Sequence, residues 1–183
     1  MKDNSSAGFS YIDVMIAIVI LTVGILALLS GLAGAVLQSK GQESQLLAKQ
    51  VAASTMESIM SLKETDPNRM GWITVGNIGT NLDINGFPRG MFVNGEQEVH
   101  EDAGLDEVLG TADDDGPVIP GLTREIVITD QCDPDRPSYN CPTPGTWGVR
   151  MRTVSVTVRY FVGSVRREEH LMTVLTDYAI TEE

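Results

Sequence analysis

Cationic side chains are scarce in this chain. Lys and Arg number 13 against 25 Asp and Glu, a formal net charge of −12, and none of the 13 lies between Arg89 and Arg124. Binders of a phosphate backbone draw their affinity from Lys and Arg, so this deficit excludes nucleic acid as a partner and argues against attraction to anionic lipid surfaces. Histidine is almost missing too. His100 and His170 are the only two, and neither stands near a serine elbow or a reactive-cysteine signature. A Walker loop and a dinucleotide glycine pattern are both absent. Nothing in these residues supports an enzyme.

Two further absences are informative. Proline is missing from residues 9–66, and charge is missing from Val14 to Ser39. A helix over that uncharged stretch rises roughly 39 Å, enough for a bilayer core of about 30 Å. A signal peptide would carry a shorter apolar run with a small-residue cleavage site behind it. Here the run is too long, and the plausible cut lies in front of it.

The residues in front are Gly8-Phe9-Ser10-Tyr11-Ile12-Asp13, followed by Val14-Met15-Ile16-Ala17. They resemble the N-terminal motif of type IV prepilins and type II secretion pseudopilins. That resemblance implies cleavage between Gly8 and Phe9 by a prepilin peptidase, methylation of Phe9, and a subunit-to-subunit role for the carboxylate at Asp13. The family usually has Glu at that position; Asp keeps the charge one methylene shorter. Physical chemistry adds its own reading. Cleavage would create an α-amine of reference pKa ~7.7–8 on Phe9, four residues before Asp13 and within reach along one helix face. The same amine could come from a neighbouring subunit. Alternatively, Asp13 sits in the headgroup layer and interacts with the dipole of its own helix.

The helix is expected to outrun the membrane. From Gln38 to Leu62, Leu47, Val51, Met56, Ile59 and Met60 recur at spacings of three to five among polar residues, an amphipathic stripe for packing on a globular partner. Asp66-Pro67 is a natural stop. Residues 67–121 read as loop-rich, with ten glycines and room for one or two short strands. Leu122–Thr129 reads as a strand. Val149–Val162 alternates, with Val154, Val156, Val158 and Tyr160 on one face, and Val165–Leu175 returns after a turn at Gly163-Ser164. The expected organisation is a leader (1–8), a long helix (9–64, with 9–37 spanning the membrane) and a head (65–183). The fold class is α+β: a long N-terminal helix on a C-terminal antiparallel sheet, with an acidic glycine-rich region between. That plan also resembles pilins, and the final hairpin resembles minor pilins of the PilV kind and minor pseudopilins of the GspI kind.

Cys132 and Cys141 enclose residues 133–140, which contain two prolines. With an exported topology they read as a disulfide closing a loop, the alternative being two free or metal-binding thiols. The positive-inside rule hardly selects an orientation, so a periplasmic head rests on the prepilin resemblance and the cysteine pair.

Carboxylates crowd the middle of the chain: Glu96, Glu98, Glu101, Asp102, Asp106, Glu107, Asp113, Asp114 and Asp115. Calcium takes six to eight oxygens from flexible loops of this sort, and Asp102, Asp106, Asp113 and Asp115 are its candidate ligands. The spacing is not that of an EF-hand. A solvated acidic loop that keeps the head soluble is the other reading. Two functions are therefore expected. The first is a minor pilin or pseudopilin, held in the bacterial inner membrane until it joins other subunits through its apolar helix, in a priming or tip position. The second is a single-span anchored periplasmic binding protein with a calcium loop and no filament.

Overall fold

The helix starts where its backbone finds a cap. In the computed structural model, which describes residues 10–65, 70–83, 85–131 and 151–177, the Ser10 carbonyl accepts the first turn's amides from Asp13 and Val14 at 3.0 and 3.3 Å. From there α1 runs without interruption over Tyr11–Thr65, with Asp13 in its first turn and Lys63 in its last, both favourable to the helix dipole. By its contacts the chain divides into two units, Met1–Gln42 and Glu43–Glu183.

In the first unit the described residues are helix, and their apolar side chains are exposed. The helix is long and apolar enough to cross a membrane. Thr22, a polar residue inside this stretch, donates its hydroxyl to the Ile18 carbonyl at 2.7 Å, so it needs no water there.

The second unit is α+β. The α1 residues Ala48, Val51, Ala52, Thr55, Met56 and Ile59 are buried at spacings of three and four. They form one face packed on a sheet, sharing a core with Leu122 and Ile126, Val154, Val156, Val158 and Tyr160. The stripe is centred differently from the sequence expectation. Leu47 and Met60 lie on its margins and are partly exposed, while Ala48 and Ala52 let the helix approach the sheet.

Four strands follow in chain order: β1 (Glu96–Asp102), β2 (Asp115–Gln131), β3 (Met151–Val162) and β4 (Val165–Thr176). Among the described residues they make one antiparallel meander in the order β1-β2-β3-β4. The β3 alternation holds through the strand: Arg152, Val154, Val156, Val158 and Tyr160 are buried under the helix. Gly163, with φ 62°, takes the first of two turn positions between β3 and β4, as a type II′ hairpin requires.

The middle region carries more structure than its composition suggests. A single helical turn, α2 (Met70–Thr74), places Trp72 in the core; β1 lies wholly within the acidic stretch; and β2 begins at Asp115, well ahead of Leu122. Asn77 explains much of the order between α2 and β1. Its amide donates to the Ile126 carbonyl and accepts the Ile128 amide, each at 2.8 Å, clipping the loop to β2. Gly90 passes so close to Asn77 that an added Cβ would stand 2.1 Å from its carbonyl oxygen.

Candidate functional site

Four groups of residues were singled out by sequence, and they fare differently. Gly8 and Phe9, the expected processing site, lie outside the described residues, as do Cys132 and Cys141. Asp13 is described. Its Oδ2 accepts the Ser10 amide at 3.3 Å, the half of a capping box supplied by the third helical residue, while the Asp13 amide donates to the Ser10 backbone carbonyl at 3.0 Å. In the single chain this carboxylate is thus occupied by its own helix start.

From Val14 to Leu37 the surface of α1 is largely apolar and carries no charge. Glycines at 24, 31 and 34 leave gaps in it, and a Cβ at any of the three would meet nothing within 4 Å. Packing within the chain does not demand them, and the helix is unbroken at all three.

The acidic loop turns its carboxylates inward on its own backbone. Asp113 accepts the amides of Leu105 and Asp106 at 2.9 and 3.2 Å and the Thr111 hydroxyl at 2.6 Å. Asp106 accepts the Val108 amide at 2.8 Å, and Asp115 accepts the Gly116 amide at 2.7 Å. Asp102 stands opposite Asp115 across the β1–β2 ladder. The four candidate calcium ligands therefore fall into two pairs in different places. Among the described residues, no group of three or more His, Cys, Asp or Glu is placed to hold a metal ion.

Asp106 and Asp113 are close enough to split their titration. The Thr111 hydroxyl, then the Asp106 and Leu105 amides, hold Asp113 below the usual carboxylate range. Burial, reinforced by the Asp113 charge, pushes Asp106 up. A raised carboxyl favours the folded loop in its protonated form, and a lowered one in its ionised form. The loop is therefore expected to tighten as pH falls from neutral through the Asp106 pKa. It should loosen only at lower pH, as Asp113 takes its proton. Amide exchange of Leu105 and Asp106 measured against pH checks this: protection should pass through a maximum on the acid side of neutrality.

Two arginines missed by the sequence reading anchor the head. Arg124, 2% exposed, donates to Asp114 at 2.5 Å and to the Thr55 hydroxyl of α1 at 3.2 Å. Asp114 also accepts the Gly110 and Thr111 amides. Arg152 donates to Asp130 at 2.9 Å and to the Trp72 carbonyl, with its guanidinium 4.4 Å from the Trp72 ring centroid. Strand parity was the available signal, since Arg124 shares the parity of Leu122 and Ile126, and Arg152 that of Val154. A cleft of about 340 Å³ opens beside β1 and the acidic loop; Glu98 and His100 line it, and its Arg124 and Asp114 are paired with each other. Comparison with protein-family models, curated proteins and solved structures finds no match to this chain.

Proposed function

We propose that this chain is a minor structural subunit of a type IV pilus or a type II secretion pseudopilus, assembled through its apolar N-terminal helix. The observation that carries this reading is α1. Its residues 11–37 expose an apolar surface in which Asp13 is the sole charge, and its residues 43–65 build the core of an antiparallel head. A surface that satisfies lipid also satisfies the same surface on neighbouring subunits, so such a helix serves as anchor first and filament core afterwards. Prepilin peptidase would release residues 1–8 and leave Phe9 as the new terminus. The head would then face the periplasm and set the subunit's position and partners.

Mass spectrometry of the membrane-resident protein tests the processing step. The expected N-terminus is N-methylated Phe9; an intact Met1 overturns the reading. Co-purifying prepilin-like chains then divide pilus from pseudopilus.

The hydrogen bond from the Ser10 amide sharpens the part played by Asp13. On assembly its carboxylate would exchange an amide hydrogen bond for an ion pair with the Phe9 amine of a neighbour. Asp13→Asn retains an oxygen for the cap but loses the charge. It is expected to reach the membrane at normal levels and enter filaments poorly, as read by immunoblot of sheared filaments. Wild-type incorporation of Asp13→Asn would remove the charge from the assembly mechanism.

A further inference from the structure

β4 ends the sheet on one side, and among the described residues no strand lies beyond it. Its pairing with β3 runs without a shift from Val162↔Val165 to Met151↔Thr176, so the strand is unbulged along its length. The pair closing a two-residue hairpin exchanges both of its hydrogen bonds. Odd-numbered residues of β4 therefore direct their backbone groups at β3. Even-numbered ones, Arg166 through Val174, direct theirs outward.

Such an edge is a template for another strand unless charge, proline or a bulge blunts it. Charge blunts only the first half here. Arg166 is held by Glu96, Glu168 by Arg159, and Glu169 accepts from Gln45 and Tyr160. The second half, Leu171 to Leu175, carries no charge, and Leu171, Met172 and Val174 are exposed, Met172 by 61%.

We propose that the occupant of this edge is β4 of a second copy, paired antiparallel about Met172. Side-chain alternation requires that residues directly opposite each other share a face, so a two-fold axis must pass through a residue. An axis at Glu168 sets two carboxylates opposite each other. At His170 it sets Glu168 against Met172 and Glu169 against Leu171. At Leu171 it sets Glu168 against Val174, and at Thr173 it sets Glu169 against Asp177. At Met172 the pairs are Met172 with its own copy, Leu171 with Thr173, His170 with Val174, Glu169 with Leu175, Glu168 with Thr176 and Arg167 with Asp177. Of the five, only this register both keeps like charges from standing opposite each other and places a carboxylate opposite each Arg167. Arg167 makes no ion pair among the described residues. Asp177 lies on the same face of the sheet, where its charge already acts on Arg152. The pairing depends on the head alone and holds whether or not the helix assembles into a filament.

The test uses the full chain in detergent micelles with Met172→Cys and a short bis-thiol cross-linker. In the proposed register the two Met172 Cα atoms stand about 5.5 Å apart. The two Arg166 positions are separated by roughly 41 Å along the strands. Met172→Cys is expected to give several-fold more cross-linked dimer than Arg166→Cys or the unsubstituted chain, whose Cys132 and Cys141 set the background. In the Met172→Cys chain, Arg167→Asp should lower the dimer several-fold, and adding Asp177→Arg should restore it. Equal cross-linking at positions 166 and 172, no dimer above background, or indifference to Arg167→Asp would each overturn the proposal.

Discussion

Replacing Asp114 with alanine is expected to lower the unfolding free energy of the head by about 3–5 kcal/mol. The loss is large because the partner left behind is almost fully buried. Arg124 is 2% exposed and Asp114 6% exposed, so the variant strands a guanidinium in the core. It also strips the Gly110 and Thr111 amides of their acceptor, releasing the loop from both its own turn and the helix. Asp114→Asn, which still accepts these bonds but carries no charge, should fall between the two. Glu168→Ala is the reference. Its pair with Arg159 is solvated, with Glu168 64% exposed, and the change should stay within about 1 kcal/mol. Urea unfolding of the full chain in micelles, followed by tryptophan fluorescence, measures all three. Equal losses for Asp114→Ala and Glu168→Ala would show that the buried pair does not hold the head together.

The second large effect belongs to α1. Ile59 is fully buried between helix and sheet, and Ile59→Ala is expected to cost about 2–5 kcal/mol, the spread reflecting how far the core relaxes into the space. Its neighbour Met60 is 44% exposed, and Met60→Ala should change stability by no more than about 0.5 kcal/mol. The contrast tests the orientation of the helix on the sheet. If Met60→Ala were the costlier change, the wrong face would have been taken as buried.

What could be read in advance follows from periodicity. The proline-free run ending before Pro67 marks α1 closely: the expected helix over 9–64 is found as Tyr11–Thr65. The alternation in β3 and the Gly163-Ser164 turn fix the last hairpin. Both signals are local, and local signals survive folding. β1 was hidden because its residues, Glu-Gln-Glu-Val-His-Glu-Asp, carry only one apolar side chain to bury. It is a strand because β2 offers a ladder, and its charges suit an edge. The same limit applies to Arg124 and Arg152. Parity puts them on the covered face, but their partners Asp114 and Asp130 are set by tertiary placement. The acidic stretch illustrates this most clearly: its composition left a bound cation and a solvated loop both open, whereas several of its carboxylates bind the loop's own amides.

The meander has a consequence for how the chain is made. Each strand of the sheet pairs with the one just synthesised, so the hairpins close as they emerge. The helix cannot do the same. Ile59 and its buried neighbours precede the β3 valines that share their core by about a hundred residues, which at ~5–20 residues per second leaves them uncovered for roughly 5–20 s. Through that interval a newborn chain presents an apolar stripe with its cover still unmade. This is the stage at which a chaperone or a membrane surface would have to shield it.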